Sequence, residues 1–264
     1  MPNPPAVASL SNRDRVLISG CIVLITALAW AYLIHLDRQM SASMKYDQEM
    51  AAMGMTMNKP WAPADAFYTF AMWTVMMVGM MAGSAIPMLL LFAGAQAGRG
   101  ENRVPHGVLL FGLGYLAVWT GFSAVATFAQ WALHQAAMLS PMMNASSPRV
   151  AGAILVGAGA YQLTPWKLRC LTQCRSPLGF LMTNWREGRL GAFRMGVSHG
   201  VYCLGCCWAL MAVLFAVGIM NLVWVAALTI FVLIEKVGPA GAIVARVAGL
   251  AIIIRGILLI AAMG

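Results

Sequence analysis

Charged side chains are scarce in this sequence of 264 residues, where Asp, Glu, Lys and Arg together make up 9% against 61% hydrophobic residues. With so little charge, the chain has too few polar groups to cover its apolar residues in water, which argues against a soluble globular protein. We therefore expect an integral membrane protein that crosses the lipid bilayer several times.

Acidic residues are the scarcest, with 8 Asp and Glu against 17 Lys and Arg, which gives a formal net charge of +9. The basic residues lie between apolar runs rather than on one amphipathic surface, so they report membrane topology, and no nucleic acid partner is predicted. The carboxylates and the four histidines do not form the cluster that oxygen chemistry at copper would use. The sequence therefore does not identify an enzyme, and a copper oxidase ranks last.

Six cysteines are too few for a disulfide scaffold in a chain of this length. No A-x-A cleavage site follows the first apolar run, so we expect a retained anchor rather than a cleaved signal peptide. Arg13 and Arg15 precede this run, which places the N-terminus in the cytoplasm.

The apolar runs predict an all-α polytopic helical bundle, with one transmembrane domain over residues 1–264 and about seven spans, or six. We expect a Met-rich external loop at 37–65 and a cytoplasmic amphipathic segment at 167–194, lying along the membrane surface through Phe180, Leu181 and Trp185. Pro87 is predicted to kink the second span. The expected spans are 16–36, 67–94, 106–131, 150–161, 195–220, 222–235 and 243–263.

The densest group of metal-binding residue types lies at 194–211, R-M-G-V-S-H-G-V-Y-C-L-G-C-C-W-A-L-M. On an α-helix, donors at i, i+4, i+7 and i+8 fall within an arc of about 100°, so their side chains share one face. A single cysteine in a membrane helix is usually a small apolar filler. Here three of the six cysteines fall within five residues, which predicts a metal or redox site at His199, Cys203, Cys206 and Cys207.

Three further residues are candidate ligands beside this cluster. Cys170 and Cys174 are four residues apart in the cytoplasmic segment, which can fold back over the inner end of the metal-binding face. Glu235 is the only acidic residue in the last two apolar runs. It is either an ion-pair partner of Lys236 or Arg246, or a ligand or proton carrier near the metal.

Methionine is frequent, with 21 residues. Thioethers are soft ligands, so M-x2-M-x-M-x-M outside the cytoplasm suits Cu(I) or Ag(I); the alternative is an amphipathic helix on the membrane with Met as its apolar face. The loop candidates are Met50, Met53, Met55 and Met57. A second group lines one side of the second span, as a ligand ladder or as adaptable packing: Met72, Met76 and Met80, with Met77 and Met81 beside them.

Methionine outside and cysteine toward the inside form a gradient from weaker to tighter soft ligands, which favours Cu(I) over the alternative, Zn(II). The expected function is Cu(I) handling for transport or for delivery to a metalloenzyme. One alternative is a membrane thiol-redox protein that uses Cys203, Cys206 and Cys207. Another is a non-catalytic structural subunit of a membrane complex.

Several blocks of the sequence are those of a known family. They are W-T-V-M-M-V-G-M-M from Trp73 to Met81 with Pro87, Y-Q-L-T-P-W-K from Tyr161, C-L-T-Q-C-R-S-P-L-G-F from Cys170, G-V-S-H-G-V-Y-C-L-G-C-C-W-A-L-M from Gly196, and G-I-M-N-L-V-W-V-A-A-L to L-I-E-K ending at Lys236. Over about residues 66 to 255 the sequence resembles bacterial membrane proteins described as predicted metal-binding integral membrane proteins.

The resemblance implies a multi-pass protein of the bacterial inner membrane that handles copper. The family's Cys, His, Met and Glu positions are present here, whereas the Met-rich external loop is longer than the family's core pattern. The implied partners are the bilayer and either a copper-dependent membrane enzyme or a periplasmic copper carrier.

Overall fold

The computed structural model describes residues 10–52, 62–99, 104–136, 138 and 147–262, and only the backbone of 42–52. Within this part of the chain the fold is all-α, without a β-strand. The helices are α1 Asn12–Ala52, α2 Pro63–Gly98, α3 Val104–Gln135, α4 Pro148–Gln162, α5 Pro165–Arg175, α6 Pro177–Asn184, α7 Gly188–Ala212, α8 Leu214–Val217, α9 Leu222–Val237 and α10 Gly241–Ala261.

Five segments of the described chain are long and apolar enough to cross a membrane, which supports the predicted membrane location. The helices α4 and α9 have 15 and 16 residues, or about 22 to 24 Å at 1.5 Å per residue, which is less than a hydrocarbon core of about 30 Å. Five of the seven predicted spans therefore meet the length criterion: Asn12–Ser41, Pro63–Gly98, Val104–Gln135, Gly188–Val217 and Gly241–Ala261.

The predicted loop at 37–65 is wrong in its first part, because α1 continues to Ala52. Residues 37–52 contain no Gly or Pro, so nothing interrupts the helix that begins in the apolar run. Met50 lies in this extension. Met53, Met55 and Met57 lie outside the described residues.

The predicted amphipathic segment at 167–194 forms α5, α6 and the start of α7, and its cytoplasmic location stays a prediction. Its expected contact with the membrane surface through Phe180 and Leu181 is wrong. Phe180 and Leu181 are fully buried in the protein core rather than lying on the membrane surface. The reason is a short turn at Ser176 and Pro177, which ends α5 and directs α6 back against α2 and α5. The Phe180 ring then packs on His199, with ring centroids 5.4 Å apart.

Pro87 lies inside α2, and the helix runs through it to Gly98. Proline removes one backbone hydrogen bond from a helix interior. The kink predicted at Pro87 stays a prediction. Because α2 is one continuous helix, its buried methionines all lie on the same element.

The centre of the bundle is the crossing of α3 and α7, where glycine allows the two backbones to touch. A Cβ atom at Gly114 would clash with the carbonyl oxygen of Phe193, and one at Gly196 would clash with that of Phe111. Side-chain-free positions are therefore required on both helices. This close approach brings the aromatic residues of α3 against the donor-bearing face of α7.

We expect Gly114→Ala to lower the thermal unfolding midpoint in detergent by several degrees. The added methyl group overpacks the crossing at a cost of about 1–3 kcal/mol. Gly121→Ala on the same helix is the matched control, since no atom lies within 4 Å of its added Cβ. Equal midpoints for the two variants would show that α3 and α7 do not approach as closely as described.

Candidate metal centre

The four donors of α7 all point into the protein. His199, Cys203, Cys206 and Cys207 are each 3% exposed or less, whereas Val201 on the same helix is 55% exposed. Their common inward direction follows from helical spacing. However, His199 and Cys207 are eight positions apart on the helix, which corresponds to a rise of about 12 Å. This distance is too long for one ion to bind both side chains.

Cys203 Sγ accepts a hydrogen bond from Lys236 and shares a second one with Tyr115, in which either atom can be the donor. The ammonium of Lys236 on α9 lies 2.9 Å from its sulfur, and the hydroxyl of Tyr115 on α3 lies 3.1 Å from it. The Lys236 Nζ also lies 3.3 Å from Ser84 Oγ and 3.7 Å from Met81 Sδ on α2. Helices α3 and α9 therefore contact this sulfur of α7, and α2 contacts the Lys236 ammonium beside it.

Cys207 connects this group to the methionines of α2. Its sulfur lies 4.0 Å from Met81 Sδ and donates a hydrogen bond of 2.8 Å to the carbonyl of Cys203. With metal–sulfur bonds of about 2.3 Å, an ion held by two sulfurs at this separation would have an S–metal–S angle of about 120°. The spacing lets these two sulfurs bind one soft-metal ion without a large movement of either side chain.

A second sulfur contact joins α7 to α5. Cys206 Sγ lies 3.9 Å from Cys174 Sγ and 3.1 Å from the carbonyl oxygen of Cys203. Cys170 lies beside them, since its sulfur is 2.8 Å from the place of a Cβ at Gly205. Hydrogen bonds with the thiols of Cys203 and Cys206, together with burial, raise the pKa of the Cys174 thiol well above its usual value.

His199 is placed apart from the sulfur atoms, within an aromatic enclosure. Its ring stacks on Tyr115 at 5.8 Å and contacts Phe111 at 6.0 Å and Phe180 at 5.4 Å between ring centroids. Its Nδ1 has no hydrogen-bond partner. Among the described residues, no three His, Cys, Asp or Glu side chains converge as a metal site, so the predicted set of one histidine and three cysteines is not assembled as a unit.

The methionine stripe of the second predicted span is buried. Its last member, Met81, contacts the sulfur of Cys207. Since these side chains face the protein core and not lipid, they place thioether sulfur along about 14 Å of α2. The buried members are Met72, Met76, Met77, Met80 and Met81.

Glu235 forms a buried ion pair with Lys167 on α5, not with Lys236 or Arg246 as one prediction had it. The Lys167 ammonium lies 2.7 and 2.9 Å from the two carboxylate oxygens. The Gln162 amide donates a further bond of 3.2 Å to the carboxylate. Burial lowers the pKa of Lys167, and the facing carboxylate opposes this shift.

Sequence reasoning missed Tyr115, Lys167 and Lys236 as parts of the site. Lys236 looks like one of the basic residues that flank a membrane span. It lies within the last turn of α9, about 100° around the helix from Glu235. This angle could have been read from the sequence. It predicts that Glu235 and Lys236 point toward different neighbouring helices and do not pair with each other.

Most of the chain matches the model of one protein family. The model "PpoB2: Copper chaperone" matches residues 70–259. The chain belongs to this copper chaperone family. No curated protein and no solved structure matches the chain.

The family match covers every candidate ligand from Met72 to Glu235 and leaves the Met-rich segment at 37–65 outside. It confirms the predicted relation to copper handling.

Lys167→Met is expected to destabilise the protein by about 3–5 kcal/mol, because it leaves the buried Glu235 carboxylate without its counter-charge. The double variant Lys167→Met/Glu235→Gln removes both charges and should recover much of the loss. Thermal unfolding of the two in detergent measures the difference. If the double variant were less stable than the single one, the ion pair would not be what holds α5 to α9.

Proposed function

We propose that this copper chaperone family member binds Cu(I) inside the membrane and passes it on, across the bilayer or to a copper-dependent enzyme. The observation that carries the proposal is the contact of Met81 Sδ with Cys207 Sγ, at 4.0 Å in the buried core. At this point the thioethers of α2 meet the thiols of α7. The proposed binding site consists of Cys203, Cys207 and Met81.

Sulfur is the donor type that selects Cu(I) over harder metals. The acidic side chain of α9, Glu235, is already paired with Lys167. A Zn(II) site normally uses four ligands in a tetrahedron, and the described residues do not bring four such donors together. The arrangement therefore favours Cu(I), and Zn(II) remains the alternative for the test.

The order of sulfur atoms suggests a route. Copper would pass from the Met-rich segment with Met50, Met53, Met55 and Met57 to the stripe on α2 and then to α7. The contact of Cys206 with Cys174, at 3.9 Å, would then lead toward the basic segment that contains Cys170. This route runs inward if the N-terminus is cytoplasmic and if α4 and α9 also cross a bacterial inner membrane, as two short spans in addition to the five long ones.

The route has two ends, and each implies a partner. A periplasmic copper carrier would load the methionines, or a copper-dependent membrane enzyme would receive the ion. A chaperone must hold Cu(I) with few donors that exchange easily. The same copper ligands would therefore serve for loading by a carrier and for delivery to an enzyme.

The test is a Cu(I) titration of the detergent-purified chain against a competing chelator. We expect Cys203→Ser/Cys207→Ser to lose tight copper binding and Met81→Leu to weaken it by about tenfold or more, because each change removes a soft donor without changing the fold. The matched controls are Cys21→Ser and Met182→Leu, which alter an exposed cysteine and an exposed methionine.

Equal copper affinity in the double cysteine variant and in Cys21→Ser would refute the proposed site. If the wild-type protein bound no copper but formed a disulfide through Cys203, Cys206 or Cys207 on oxidation, for example between Cys206 and Cys174, the thiol-redox alternative would replace the copper proposal. The short distance between those two sulfurs is what makes that outcome measurable.

A further inference from the structure

Lys236 places a positive charge beside the sulfur atoms of Cys203 and Met81. Its side chain is buried, and its ammonium contacts Cys203 Sγ at 2.9 Å, Ser84 Oγ at 3.3 Å and Met81 Sδ at 3.7 Å. An ammonium in a low-dielectric interior is costly without a nearby negative charge. Of these three neighbours, only the cysteine sulfur can supply one.

The adjacent carboxylate does not neutralise Lys236. Glu235 points toward α5, where it is held by the Lys167 ammonium at 2.7 Å. The two charges of that pair cancel each other, so the charge of Lys236 is left for the sulfur site. Tyr115, which lies 3.1 Å from Cys203 Sγ, contributes a neutral hydroxyl.

We propose that Lys236 is the residue that makes this site selective for Cu(I) over divalent ions such as Zn(II). The inference rests on the proposed function, because it takes Cys203 and Cys207 as the copper ligands. Lys236 itself binds no metal. It acts as a fixed counter-charge beside the ligands.

The argument is a count of charges. A bound metal deprotonates the thiols that ligate it, and each thiol releases its proton to the surroundings. Two thiolates, one Cu(I) and the Lys236 ammonium then sum to zero, whereas the same groups with Zn(II) sum to +1. Since a net charge in a buried site is unfavourable, the ammonium favours the monovalent ion.

Without the ammonium the count reverses. Two thiolates with Cu(I) carry a net charge of −1, and two thiolates with Zn(II) are neutral. Met81 does not alter this balance, because a thioether is uncharged. The position of Lys236, in contact with both a thiol and the thioether, is therefore the feature that sets which ion is preferred.

The experiment measures Cu(I) and Zn(II) affinities of the full chain in detergent, by competition with one chelator for each metal. The variants are Lys236→Gln, Lys236→Met and the charge-conserving Lys236→Arg. Arg189→Gln is the control, because it removes an exposed positive charge from α7. We expect the preference for Cu(I) over Zn(II) to fall on the order of a hundredfold in the first two variants, and to persist in Lys236→Arg and Arg189→Gln.

The outcomes separate this inference from the proposed function. If the wild-type protein binds neither metal, the proposed function fails. If the wild type binds Cu(I) and Lys236→Gln and Lys236→Met keep the same preference, only the role of Lys236 is refuted. Tighter Cu(I) binding in these two variants would also overturn it, since Lys236 would then compete with copper instead of balancing the thiolates.

Discussion

The structure depends on one buried interaction, the contact of the Lys236 ammonium with the sulfur of Cys203 at 2.9 Å. A buried ammonium must lie beside a group that can bear negative charge, and this requirement draws the end of α9 against α7. The same ammonium touches Ser84 and Met81 on α2. Polar and sulfur-containing side chains of α2, α7 and α9 thus meet around the Lys236 ammonium.

Close helix packing makes this convergence possible. Because Gly114 and Gly196 let α3 and α7 touch, Tyr115 reaches Cys203 at 3.1 Å. Bulkier residues would hold the two helices apart, and the hydroxyl would lose its contact with Cys203. The Lys167–Glu235 pair adds α5 to the assembly. It also keeps the carboxylate away from the sulfur atoms, so the site stays rich in soft donors.

Sequence reasoning succeeded where helical periodicity decides the outcome. The all-α fold, the inward direction of the α7 donors and the relation to copper handling follow from residue spacing and from family motifs. It failed at 37–52, where polarity suggested a loop although no residue there breaks a helix. It also failed at Phe180 and Leu181, because amphipathicity does not reveal whether an apolar face meets lipid or protein.

The partners across helices could not be predicted in the same way. Spacing shows that Cys203 and Cys207 share a face, but it does not show which helix packs on that face or which side chain it brings. Lys236 illustrates this, because a lysine at the end of an apolar run normally reaches out to the interface. Here Lys236 lies in the last turn of α9, and the surrounding helices bury its side chain. His199 differs from Lys236. It lies on the inward face of α7, as helical spacing predicts, but aromatic rings surround it instead of other metal ligands.

Copper-edge X-ray absorption of the Cu(I)-loaded protein tests the central claim most directly. The account predicts two or three sulfur neighbours at about 2.3 Å, with no imidazole nitrogen in the first shell and with loss of the sulfur signal in Cys203→Ser/Cys207→Ser. A shell of nitrogen or oxygen, or an unchanged sulfur signal in that variant, would contradict it.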